Sequence, residues 1–218
     1  AAAIQAGKEA IDAATTLQEV EEALAATKAA IDSIPTLAEL MPFTDVKEGA
    51  WYYEAVLYAM QEGYFKGVTA TTFAPENKLS RAMAVTVLYR MAGEPEVTGT
   101  TTFTDVKEDA YYYKAVAWAL ENGITTGVDA TRFAPNADVT REQMVTFLFR
   151  YAEASGQDVN RMASLSSFRD AGSVSNYARE AMAWAVGNDI LQGMEQDLLA
   201  PQGTATRAQA AAMLMRFL

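Results

Sequence analysis

Apolar residues recur at helical spacing through most of the chain. In an alanine-rich background, Ile4, Ile11, Leu17, Val20, Leu24, Ile31 and Ile34 follow the pattern of two amphipathic helices. Thr15-Thr16 marks the break between them. Thr16 followed by Glu19 has capping-box spacing, in which each side chain satisfies an amide at the start of the second helix. Pro35 is expected to close that helix, so residues 1–42 read as a helical hairpin spacer.

Further along, Ala115, Val116, Ala119 and Leu120 form an apolar stripe that ends at Asn122-Gly123, a C-terminal stop. A loop with Gly127 and Phe133-Ala134-Pro135 follows. Thr140 then starts a helix whose apolar face is Met144, Val145, Phe147 and Leu148. Thr140/Gln143 and Thr206/Gln209 have capping-box spacing, whereas Ser80 has Met83 at the partner position and keeps half of the device. No alternating stretch is long enough to demand a sheet, so the fold is expected to be mainly α.

This helix–loop–helix unit is repeated. Phe43-Thr44-Asp45-Val46-Lys47-Glu48 returns as Phe103-Thr104-Asp105-Val106-Lys107-Glu108, a displacement of 60, and 25 of 48 positions are identical between 43–90 and 103–150. Phe168-Arg169-Asp170 opens a more diverged third copy. Trp184, Gly193, Ala200-Pro201 and Thr206-Arg207 answer Trp118, Gly127, Ala134-Pro135 and Thr140-Arg141, with one residue inserted between Asp170 and Trp184. Polar and Gly- or Ser-containing linkers at 91–102 and 151–167 divide the chain into 43–102, 103–167 and 168–218. One copy has too little apolar surface to stand alone, which predicts a shared core.

Composition then removes whole classes of chemistry. Cysteine and histidine are absent, which excludes disulfides, thiolate or imidazole metal sites and histidine acid/base work. The net charge of −11 argues against nucleic-acid binding, and no apolar run approaches the roughly 20 residues of a membrane span. Residues 1–42 hold 2 basic and 7 acidic side chains, nearly half of the imbalance. The first residues show no basic segment leading into an apolar stretch, so no secretion signal is expected within this chain. No EF-hand spacing and no distinguished carboxylate pair point to metal binding or glycoside hydrolysis; no cofactor and no catalysis are expected.

The copies follow, with departures, the pattern of one known family: Phe-x-Asp, an aromatic Ala-rich helix, Gly-x-x-x-Gly, Phe-x-Pro and Thr-Arg-Ala-Glu. The first copy supplies Phe43/Asp45, Trp51-Tyr52-Tyr53, Gly63 and Gly67, Phe73-Ala74-Pro75 and Ser80-Arg81-Ala82. The second supplies Asp105, Tyr111, Gly123 to Gly127, Pro135 and Thr140-Arg141-Glu142-Gln143; the third Asp170, Tyr177, Gly193, Pro201 and Thr206-Arg207-Ala208-Gln209. Over roughly 43–218 the chain resembles the S-layer homology family. The resemblance implies a pseudo-threefold helical body at the bacterial cell surface. It also implies a non-catalytic carbohydrate-binding module that anchors a surface protein through secondary cell-wall polysaccharide, often anionic and pyruvylated. The alternative is a protein–protein or self-assembly module of a surface layer. Met83, Gln143 and Gln209 replace the acidic end of the last motif, and Asp189 replaces the first glycine of the loop in copy three.

Candidate binding residues follow from these positions. Arg81, Arg141 and Arg207 sit just inside a helix start, where a cation opposes the helix dipole; beside free helix amides a guanidinium could grip a carboxylate or phosphate. The bland reading is an ion pair with Asp45, Asp105 or Asp170. Departure from the family pattern ranks Arg141 and Arg207 above Arg81. Trp51, Tyr111 and Tyr177 either stack on sugar rings or belong to the core, whereas Trp118 and Trp184 are expected in the core. Gly67, Gly127 and Gly193 supply positive φ or close backbone approach, which could also let a sugar lie on the backbone. Asp45, Asp105 and Asp170 either accept hydrogen bonds from sugar hydroxyls or cap the helix that follows.

Overall fold

Thr16 caps its helix as its spacing predicts: its hydroxyl accepts from the Glu19 amide, and the Glu19 carboxylate accepts from the amides of Thr15 and Thr16. The computed structural model describes residues 2–34 and 37–218 and divides the chain into two units, 1–42 and 43–218. In the first unit α1 (Ala2–Ala13) packs against α2 (Leu17–Asp32), and a short α3 (Leu37–Leu40) follows. Gly7 is buried against Thr27, and of the predicted apolar stripe Ile11 and Val20 are half-buried. Two helices alone cannot enclose a stripe of long side chains, so Ile4, Leu17, Leu24, Ile31 and Ile34 stay exposed. The expected stop at Pro35 lies outside the described residues.

The second unit holds α4 (Tyr53–Gln61) and α5 (Arg81–Met91) of copy one, and α6 (Tyr113–Glu121) and α7 (Arg141–Ala154) of copy two. Copy three supplies α8 (Arg179–Gly187) and α9 (Arg207–Phe217). Two short 3₁₀ turns, Ala171–Ser173 and Asn176–Ala178, precede α8 in the stretch that carries the inserted residue. Helices α5 and α7 run into the segments read as linkers, to Met91 and Ala154. No strand longer than an isolated bridge occurs among the described residues.

The two helices of one copy do not pair with each other. Helix α5 packs on α6 of the next copy, α7 on α8 of the third, and α9 returns to α4 of the first. A ring of backbone hydrogen bonds closes the same cycle: the Leu79 amide donates to Ala205 (2.9 Å), Ala205 to Val139 (2.9 Å) and Val139 to Leu79 (2.8 Å). All three side chains are fully buried. This arrangement is the pseudo-threefold helical body that the resemblance implies.

Core positions agree with the periodicity. Phe73, Phe133 and Leu199 are fully enclosed, and Trp118 and Trp184 are buried in aromatic contacts with Tyr89, Tyr151, Phe149 and Phe217. Thr140 and Thr206 form complete capping boxes, and Ser80 caps without the reciprocal bond. Asp189 takes φ 60°, the left-handed conformation held by Gly63 and Gly123 in the other copies. Asp tolerates this region better than most residues do, which is how copy three manages without that glycine.

Candidate functional site

The loop Phe-Ala-Pro is the point at which neighbouring copies lock together. Ala74, Ala134 and Ala200 hold φ of 57°, 58° and 49°, a strained region for alanine. Asp45 holds the first of these turns open from below, its two carboxylate oxygens accepting the amides of Phe73 (2.9 Å) and Ala74 (2.7 Å). Asp105 does the same for Phe133 and Ala134, and Asp170 for Leu199 and Ala200. The expected helix-capping role is therefore corrected: no cap hydrogen bond comes from Asp170, and each of the three bridges some 28 residues onward to a loop.

From the other side comes the arginine of the preceding copy. Nε of Arg81 donates to the Phe133 carbonyl, Arg141 to Leu199 and Arg207 to Phe73, each at 2.8 Å. The three residues are only 4–5% exposed. The guanidinium of Arg207 lies over the Phe73 ring (4.4 Å) and that of Arg81 over Phe133 (4.9 Å). Burial pulls each guanidinium below its ordinary pKa. The next copy's aspartate opposes that pull: Asp170 for Arg141, Asp45 for Arg207, and Asp105 together with Tyr177 for Arg81. None of the described ion pairs joins these arginines to those aspartates. Aspartate and arginine instead clamp the same loop from its amide and carbonyl sides.

The helix amides beside the arginines are not free. Arg81 and Ala82 donate to Ala137 and Pro135, Arg141 and Glu142 to Gly203 and Pro201, and Arg207 and Ala208 to Asn77 and Pro75. The third amide of each helix goes to the Ser80, Thr140 or Thr206 hydroxyl. An anion here would meet guanidinium groups, not a bare helix end.

What remains open is the outer edge of each guanidinium. Among the described hydrogen bonds, Arg81 engages Nε alone, while Arg141 also reaches Gln192 through Nη2 (3.4 Å) and Arg207 reaches Lys66 (2.8 Å). The edges of Arg81 and Arg141 face clefts built from all three copies. One cleft of about 350 Å³ joins Arg81 of copy one to Gly127, Val128 and Arg150 of copy two and Tyr177 of copy three. Another of about 690 Å³ joins Arg141 of copy two to Gly193, Met194 and Arg216 of copy three and Trp51 of copy one. The third relation completes the cycle: Arg207 reaches the loop before Gly67, and with Arg90 it acts electrostatically on the Tyr111 phenol.

In the two clefts the arginine, glycine and aromatic candidates come together across copies, whereas Asp45, Asp105 and Asp170 bond to a loop of their own copy. Trp51, Tyr111 and Tyr177 are 63%, 67% and 53% exposed, so they are not core residues. Gly67, Gly127 and Gly193 are fixed by packing, since a Cβ at each would run into the ring of Phe43, Phe103 or Phe168. Arg90, Arg150 and Arg216 were missed as site residues. Their signal was present, because Arg90 and Arg150 are related by the same displacement of 60. The two clefts differ in charge: Glu76 and Glu195 line the cleft with Arg141 and Arg216, whereas among the described residues no carboxylate lines the Arg81–Arg150 cleft.

The S-layer homology domain matches three times, at residues 42–84, 102–145 and 167–211. The chain belongs to the S-layer homology family. It is 35% identical over 86% of its length to the Surface-layer 125 kDa protein of Lysinibacillus sphaericus, covering 16% of that protein. It is 30% identical over 81% of its length to an Endoglucanase of Bacillus sp. (strain KSM-635), covering 19% of it. To the Cellulosome-anchoring protein of Acetivibrio thermocellus it is 23% identical over 71% of its length, covering 35%. The S-layer homology triplet therefore spans a minor part of each of these relatives. Such a module is a non-catalytic anchor, and family membership places the chain at the cell surface or cell wall. Among the described residues, no helix is long and apolar enough to cross a membrane.

Proposed function

We propose that this S-layer homology triplet anchors a larger surface protein to the cell wall by holding an anionic, pyruvylated secondary cell-wall polysaccharide in the clefts between copies. The observation that carries the reading is the convergence of an arginine pair, a glycine loop and an exposed aromatic ring from three different copies. The guanidinium fork suits a carboxylate, the ring offers a stacking face, and Val128 or Met194 at the rim offers apolar contact for a methyl group. A protein of net charge −11 repels a polyanion at long range, so attraction must be local.

Charge and unused donors favour the Arg81–Arg150 cleft for the anionic group. This reverses the ranking drawn from motif departure, in which Arg81 came last. Calorimetric titration with a disaccharide in pyruvylated and unpyruvylated forms tests the assignment. The pyruvylated form should bind more tightly. Arg150→Ala should weaken it by about tenfold or more, the loss of one charged hydrogen bond, and should leave the neutral form unaffected. Equal binding of both sugars by the unaltered protein would refute the anionic-ligand assignment.

A further inference from the structure

One buried carboxylate has no counterpart in the other copies. Glu142, in the first turn of α7, is 2% exposed; alanine occupies the equivalent positions 82 and 208. Its charge lies at a helix N-terminus, where the dipole favours it. Three donors satisfy it: the Ser175 amide (3.0 Å), the Tyr177 hydroxyl (2.9 Å) and Gln202 Nε2 (2.9 Å), all from copy three.

The reason for this device is visible in the wall aromatics. Trp51 is braced edge-on by Tyr52 at 5.3 Å between ring centroids, and Tyr111 by Tyr112 at 5.0 Å. Tyr177 is followed by Ala178, so its neighbouring ring is missing. An exposed tyrosine without that brace would sample several rotamers, and a ligand would have to immobilise it. The bond to Glu142 replaces the missing ring. Burial, reinforced by the hydrogen bond and charge of Glu142, pushes the Tyr177 phenol up to about 12, so its hydroxyl remains a donor throughout the neutral range.

We propose that Glu142 is a positioning residue that fixes Tyr177 as the wall of the Arg81–Arg150 cleft, making that cleft preorganised by a route the other two copies do not use. This rests on the reading of the clefts as carbohydrate sites. Because the Tyr177 hydroxyl donates its one hydrogen bond to Glu142, Tyr177 offers a sugar its ring face and, at most, an accepting oxygen.

The test uses the full chain with Trp51→Ala and Tyr111→Ala, exposed positions whose loss silences the other two walls. In that background the pyruvylated disaccharide is titrated against Glu142→Ala, Tyr177→Phe and both together. Alanine is native at this helix position in the other copies, and Tyr177→Phe removes only the hydroxyl. Each single change should weaken binding about 3- to 10-fold, the cost of immobilising one side chain, and the double change should be no worse than either. Unaltered affinity in Tyr177→Phe, or effects that multiply, would overturn the proposal. A ligand-free readout separates it from the functional reading. With 3-fluorotyrosine incorporated, the Tyr177 ¹⁹F signal, assigned by its loss in Tyr177→Phe, should shift and broaden in Glu142→Ala. If the unaltered protein binds no sugar, the carbohydrate reading fails, and this signal alone then decides: a changed resonance upholds the positioning role, and an unchanged one overturns it.

Discussion

Arg207→Ala will lower the stability of the 43–218 unit by about 3–5 kcal/mol. The change strips charged hydrogen bonds from the carbonyls of Phe73 and Lys66 and removes the guanidinium from the faces of Phe65 and Phe73. The buried Phe73 carbonyl and the part-buried Lys66 carbonyl are left without partners, and the left-handed turn at Ala74 is then held from one side only. Relief of the desolvated charge offsets part of this loss, because burial already disfavours the Arg207 cation. Lysine will not rescue it, since one ammonium cannot reproduce two donors set in a planar fork above a ring. Urea unfolding should show a single transition moved to lower denaturant in both variants. A midpoint within error of the unaltered protein would mean that the clamp contributes little.

Removal of an entire copy should have a larger effect still. A chain lacking residues 43–102 loses two of three helix pairings, α5 with α6 and α9 with α4, and the hydrogen-bonded ring at Leu79, Val139 and Ala205 is broken. Trp118 also loses its contact with Tyr89. A domain of ordinary size is stable by only about 5–15 kcal/mol, which leaves little margin for losing most of the helix pairings at once. Residues 103–218 should therefore show no cooperative transition and a weakened near-ultraviolet circular dichroism signal. Cooperative unfolding near the midpoint of the unaltered protein would contradict the mutual dependence of the copies.

Much of this architecture was legible in the sequence because a repeat makes each signal visible more than once. The helices, their Thr140 and Thr206 caps and the buried Trp118 and Trp184 followed from spacing alone. What spacing cannot encode is which copy faces which. Nothing in the order of residues says that α4 meets α9, or that Arg207 belongs beside Trp-bearing copy one at Phe73, 134 residues away. For the same reason the helix-start arginines read as groups beside free amides, when carbonyls of the next copy had taken those amides. Asp45 looked like a cap because its partners, Phe73 and Ala74, lie in a distant loop. Glu142 escaped notice because comparison of copies rewards what recurs, and this carboxylate occurs in one copy only. The exposed stripe of α1 and α2 shows the converse limit: periodicity marks an apolar face without supplying anything to cover it.

Cosedimentation with purified cell-wall sacculi is the most direct measurement of the central claim, that the clefts between copies anchor this triplet through wall polysaccharide. The protein should pellet with intact sacculi and stay in the supernatant once the attached polysaccharide has been stripped away. Undiminished pelleting with bare peptidoglycan, or no pelleting with either preparation, would contradict it.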